Sequence, residues 1–177
     1  MRRSELEHVL RAAAKIAEDP EILVIGSQSI LGSADEQHLP ALATTSMEVD
    51  IAFFDDPDND KSDRVDGAIG ELSMFHETYG YYAQGVSVDT ATLPSGWRDR
   101  LIVIATDASS PGRGLCLDPH DCVVSKLVAG REKDHLFAAA LIRAGIVVRD
   151  TLEQRLAMLE EVDARVVDRA RQWLATF

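Results

Sequence analysis

Two short apolar runs, separated by a glycine–serine turn and a polar loop, constrain this chain more than any other feature. The first, Ile22-Leu23-Val24-Ile25, lies between Pro20 and Gly26. A β-branched run of that length with such boundaries predicts a buried strand. Gly26-Ser27-Gln28-Ser29 follows, and the spacing of Ile30 and Leu31 predicts a short helix. Further on, Glu48-Val49-Asp50-Ile51-Ala52-Phe53-Phe54 predicts a second strand. A period of two places Glu48 and Asp50 on one face and Val49, Ile51 and Phe53 on the other. Carboxylates at i and i+2 of a strand have stems about 7 Å apart, close enough to converge on one divalent cation. A glycine–serine turn facing them supplies backbone N–H groups and a hydroxyl for phosphate, and the acids supply a seat for the metal.

Each half of this pattern has a plainer reading when taken alone. Gly26-Ser27 is also an ordinary strand-to-helix turn with Ser27 as N-cap, and alternating acids are also the wet face of a strand. No Gly-Lys-Ser/Thr follows, so this is not a Walker loop, and the glycines of a dinucleotide fingerprint are missing. It is the order of the two halves, on adjacent elements, that points to nucleotide chemistry.

In that order, apolar-Gly-Ser and then a carboxylate-apolar-carboxylate strand, the chain resembles the nucleotidyltransferase (polymerase-beta-like) superfamily. Within it, the chain is similar to short relatives of the bacterial abortive-infection nucleotidyltransferase toxins and the minimal nucleotidyltransferase antitoxins. Glu48 stands where the family more usually has Asp, and the long gap from Ser27 to Glu48 makes Gly32 to Met47 an inserted loop. A second resemblance lies in Lys126-Leu127 followed by Arg131, Lys133 and Asp134, with Phe137 where the family often has a further Asp. The other reading of that run is a helix surface with salt-bridged charges. The resemblance implies catalytic and metal-binding roles for Glu48, Asp50 and Asp89. It implies nucleotide binding by Gly26, Ser27, Lys126, Arg131, Lys133 and Asp134, with Mg2+ or Mn2+ as cofactor and a nucleoside triphosphate as substrate. Asp89, in Val86-Ser87-Val88-Asp89, is the candidate third carboxylate, though it is equally a turn-forming Asp ahead of Thr90.

The implied activity is transfer of a nucleotidyl group to a hydroxyl of RNA, protein or a small molecule, in a toxin–antitoxin or phage-defence setting. The alternative is a catalytically inactive binding module or antitoxin-like partner, to which the Glu48 and Phe137 departures and the apolar C-terminal helices lend support. Nucleotide sensing without transfer is a third reading. His76 and Glu77 beside Tyr79, Tyr81 and Tyr82 read either as a pocket for a base or as sheet packing. Cys116, His120 and Cys122 have irregular spacing and no fourth partner, and read as buried thiols rather than zinc ligands.

A formal charge of −12 argues against a broad nucleic-acid surface. Two cysteines are too few for a disulfide framework, no leader pattern opens the chain, and no apolar run reaches the roughly 18 residues of a membrane span. A cytoplasmic location without membrane contact is therefore expected. With 177 residues, the chain reads as one domain, its core sheet at about 20–117 and its C-terminal helices at about 118–177.

The expected fold class is α+β: a nucleotidyltransferase-like mixed sheet flanked by helices, with a helical C-terminal half. A first helix is predicted over Ser4 to Glu18 with a Ser4–Glu7 capping box, and another over Ser62 to Leu72. Gly32 to Ser46 is expected as a loop able to fold over the site. Tyr79 to Asp89 is expected as one or two bent strands, Leu101 to Ala105 as a buried strand, and Gly114 to Leu117 as a short one. Helices are predicted over His120 to Val128, Glu132 to Ala144 and from Thr151 onward, the last with a restart at Asp163 and an apolar stripe offering a surface to a protein partner.

Overall fold

The computed structural model describes residues 1–177. Helix α1 (Arg3–Ala17) forms because Leu6, Val9, Leu10, Ala13 and Ala17 recur at helical spacing and are all buried. Its N-terminus is closed two residues earlier than the sequence suggested. The Arg2 backbone N–H donates to Glu5 Oε2 at 2.7 Å, so Glu5, not Glu7, is the acid that caps it. Glu18 ends the helix in a left-handed conformation (φ 56°), and Pro20 then starts the first strand.

The sheet contains β1 (Glu21–Ile25), β2 (Glu48–Ala52), β3 (Tyr82–Gly85), β4 (Ile102–Ile104) and β5 (Arg113–Cys116), in the spatial order β3-β2-β1-β5-β4. β1 runs antiparallel to β2 and parallel to β5, β2 runs parallel to β3, and β4 runs antiparallel to β5. It is the mixed sheet of an α+β fold, and the helical half follows it. One sheet face is covered by α1 and by α2 (Asp60–Ile69). The acidic run before α2 becomes its cap, with Asp56 accepting the backbone N–H groups of Lys61 and Ser62, both at 2.9 Å. α2 lies so close to β3 that a Cβ on Gly85 would stand 2.0 Å from the Ser62 carbonyl oxygen. Only glycine fits there.

Three expectations are corrected. Met74–Tyr79 is a helix, α3, begun by Ser73 accepting from the His76 N–H at 3.1 Å, so only Tyr82–Gly85 of the expected bent strands is strand. Leu72 falls outside α2, with φ 63° and 82% exposed, because Gly70 ends the helix. The Leu101–Ala105 run becomes β4, an edge strand with Val103 exposed rather than a buried central one. The inner place beside it, next to the central β1, goes to β5, whose Gly114, Leu115 and Cys116 are all buried. The Gly32–Ser46 segment is two short 3-10 turns tied to the body. Arg3 N–H donates to Glu36 at 3.0 Å, Gln28 Nε2 to the Ala43 carbonyl at 3.3 Å, and Leu39 and Ala43 are buried.

The C-terminal half consists of α4 (Pro119–Ala129), α5 (Glu132–Arg143), α6 (Arg149–Leu156) and α7 (Ala164–Leu174). Asp163 restarts the last helix as read from the sequence, accepting the Arg165 N–H at 2.9 Å. One apolar cluster of 39 buried residues runs from α1 through the sheet to Ala170 and Leu174 of α7. Within it sits a charge. Asp121 of α4 is fully buried, accepts from Arg100 Nε at 2.8 Å and Nη2 at 3.2 Å, and lies 3.2 Å from Arg155 Nε of α6. Burial lifts its carboxyl above the usual range despite Arg100. The cluster is therefore no strong net stabiliser, but removing one partner strands the others. We expect Asp121→Ala to cost about 3 kcal/mol or more, read as a lower urea midpoint at an unchanged m-value. A loss below about 1 kcal/mol would mean that both arginines escape to solvent.

Candidate active site

The site begins where β1 stops. Ile25 pairs with Asp50 across the antiparallel β1–β2 ladder, which brings the next residue, Gly26, against the Asp50 side chain. Gly26 has φ 69° and ψ −163°, a region essentially reserved for glycine. A Cβ there would lie 2.0 Å from Asp50 Oδ2. Gly26 is thus required twice, for its backbone angles and for the carboxylate beside it. Its carbonyl is fixed by Ser29 Oγ at 2.8 Å and Cys122 Sγ at 3.2 Å. Ser27 then opens a short 3-10 helix, Ser27–Gly32, the short helix that the sequence suggested.

Glu48 and Asp50 point from the same face of β2 into a cleft of about 470 Å3, with Gly26 and Ser27 at one end. Burial, then the charge of the neighbouring Glu48 carboxyl, push Asp50 up to about 6, while Lys126 and Lys133 pull it down. Tyr82 stands opposite Glu48 in the parallel β2–β3 register and donates its hydroxyl to Glu48 Oε2 at 2.9 Å. Burial, then that bond, raise the Tyr82 phenol to about 12.

Lys126, Arg131 and Lys133 line the cleft from α4 and the start of α5. Their positions trace to Asp134, which is 1% exposed and accepts from Arg131 Nε at 2.6 Å and Lys126 Nζ at 3.4 Å. Burial works against its charge, but the Arg131 bond and the Lys126 charge hold its carboxyl below the usual range. Asp134 is outside the lining and acts on the two cations, not on a ligand. Phe137 is also buried, its ring centroid 5.4 Å from the Lys126 ammonium, so an aromatic face supports the lysine.

Gly26, Ser27, Glu48, Asp50, Lys126, Arg131 and Lys133 therefore meet in one cleft. Asp89 does not join them. It is exposed on the short turn Val88–Thr90, at whose end Thr90, Ala91 and Thr92 line the cleft in its place. No group of three or more His, Cys, Asp and Glu side chains is disposed to hold a metal. Cys116 and Cys122 are buried free thiols, and His120 Nε2 accepts the Val148 N–H at 3.1 Å. Tyr79 and Tyr81 pack with His8 and Phe75 away from the cleft, so of the tyrosines only Tyr82 touches the site. The roles of Tyr82, Ser29 and Cys122 escaped the sequence. The one available signal was Tyr82 itself, an amphipathic residue in a strand whose neighbour only the sheet order reveals.

A family model described as "nucleotidyltransferase of unknown function" (DUF6036) matches residues 4–171, which spans α1 to nearly the end of α7. The chain belongs to this family. No curated protein and no solved structure matches the chain. In this nucleotidyltransferase-like protein no helix is long and apolar enough to cross a membrane.

Asp50 makes the site legible in stability. It titrates near 6 when folded against an ordinary value of 3.8. Between these pH values the folded state binds the extra proton, so the Asp50 contribution falls as pH rises from about 4 through about 6. Asp50→Asn lacks this step. In buffer free of divalent cations it should gain on the wild type with rising pH, by up to about 3 kcal/mol at pH 7.5. Parallel stability–pH curves for the two proteins in chemical denaturation would remove the strain from Asp50.

Proposed function

We propose that this protein transfers a nucleotidyl group from a nucleoside triphosphate to a hydroxyl of RNA, protein or a small molecule, with magnesium or manganese as cofactor. The observation that carries the reading is the opposition, across one cleft, of a half-buried carboxylate pair and three cations, with the Gly26-Ser27 turn at its end. The donor set suits magnesium, which is commonly bound by one or two carboxylates and the substrate's own phosphates. The neighbouring charge of Glu48, and the upward pull on Asp50, mark negative charge that a cation relieves.

Glu48 and Asp50 would hold the ion, and Gly26 and Ser27 would meet the β- and γ-phosphates. When bound, the ion supplies Lewis-acid polarisation of the phosphoryl group and charge neutralisation. Lys126 and Arg131, braced by Asp134, would take the triphosphate charge, with Lys133 beside them. The acceptor oxygen would bond to the α-phosphorus as pyrophosphate leaves. Asp89 serves as base for the acceptor proton only if the Val88–Thr90 turn carries it past Thr90 into the cleft, and Asp89→Asn tests that directly.

The two-acid set also favours a second reading, a catalytically inactive module of this fold that binds a partner protein. Incubation with each labelled triphosphate, magnesium and cell extract decides between them. The expected result is label on an acceptor, lost in Asp50→Asn, with Lys126→Ala raising the KM for triphosphate about tenfold or more. Inertness with every triphosphate, together with a tight protein partner, would establish the module instead. The toxin–antitoxin or phage-defence setting predicts growth arrest on expression that disappears in Asp50→Asn.

A further inference from the structure

Glu48 carries its carboxylate one methylene further from β2 than an aspartate would. A glutamate side chain free to turn loses conformational entropy when a ligand fixes it. Asp50 is short and pressed against Gly26, so it is already fixed. For Glu48 the restraint comes from the neighbouring strand. Tyr82 is its register partner on β3 and donates to Oε2 at 2.9 Å. The Tyr82 ring is itself backed by His76 of α3, with centroids 4.6 Å apart. His76 in turn is held by the Leu72 backbone N–H, which donates to its Nδ1 at 3.1 Å. A chain of packed groups thus runs from α3 through His76 and Tyr82 to a single oxygen of Glu48.

We infer that Tyr82 is a positioning residue. By occupying Oε2 it fixes the Glu48 carboxylate at the place where Glu48 and Asp50 share one divalent cation, and so accommodates the extra methylene of Glu48. The inference rests on the proposed metal-dependent reading of the cleft. Tyr82 does not touch the triphosphate in this account. Its effect reaches the ligand only through Glu48, as outer-sphere partners of metal-binding carboxylates do. Shortening Glu48 to aspartate withdraws the carboxylate by about 1.5 Å. Tyr82 then has nothing to hold.

The test is Mn2+ binding without nucleotide, followed by electron paramagnetic resonance, beside triphosphate binding in EDTA by calorimetry. Thermal unfolding checks that each variant is folded. Tyr82→Phe is expected to weaken Mn2+ binding about 10–100-fold while leaving triphosphate binding in EDTA within twofold. A general loss of packing would weaken both, and that result overturns the inference, as does unchanged Mn2+ affinity. In a Glu48→Asp background, Tyr82→Phe should add less than twofold, because the two residues are coupled. A Glu48→Asp protein that binds no Mn2+ at all also supports the inference, since its carboxylate has left the place that Tyr82 holds. A full further loss from Tyr82→Phe in that background counts against it. Wild-type protein that binds neither Mn2+ nor any triphosphate would overturn the catalytic reading and this inference together. Wild-type Mn2+ binding that is indifferent to Tyr82→Phe would overturn the inference alone.

Discussion

The site depends on the close approach of the Gly26 backbone to the Asp50 carboxylate. The antiparallel pairing of Ile25 with Asp50 sets the distance, and the absence of a side chain at Gly26 permits it. Everything else in the cleft is arranged around the charge this contact buries. Glu48 sets its charge beside Asp50, Tyr82 holds Glu48, and Lys126 and Lys133 oppose both acids from the other wall. The mutual repulsion of two carboxylates in a partly dry cleft is unfavourable to the fold. Such an arrangement persists where a ligand relieves it, and it is weak evidence of a purely structural role.

The cationic wall follows a different logic. Lys126 and Arg131 both converge on the buried Asp134, so their positions are set by the protein interior and not by the ligand. Phe137 fills the space below Lys126 and keeps the ammonium over an aromatic face. A residue that looks in the sequence like a missing acid is, in the fold, part of the support beneath Lys126.

Local pattern made the outline of the site legible. Gly26-Ser27 and Glu48-Val49-Asp50 each carry their geometry in a few residues, and strand alternation alone places the two acids together. The helices from α4 onward were readable for the same reason, through periodicity and the Asp163 cap. What failed was non-local. That β5 lies inside the sheet and β4 at its edge depends on pairing between strands far apart in sequence, which composition does not encode. Tyr82 meets Glu48 only because β3 lies beside β2, and Asp134 reads as a surface charge until α5 turns it inward. Asp89 is the opposite case: a short strand was extended too far in the reading, and a turn closed by Ser87 directs the chain differently.

The buried Asp121 has a consequence for how ligands arrive. It ties α4, which carries Lys126, to Arg100 and to Arg155 of α6. Arg100 lies eight residues beyond Thr92, which with Thr90 lines the cleft along with Lys126. The cationic helix and the segment that follows that part of the lining therefore share one carboxylate as an anchor. If the cleft takes an anionic ligand as proposed, that ligand approaches against the long-range repulsion of a chain with a net charge of −12. Added salt, which screens that repulsion, should consequently speed entry even as it weakens the grip of the lysines and arginine once the ligand is seated.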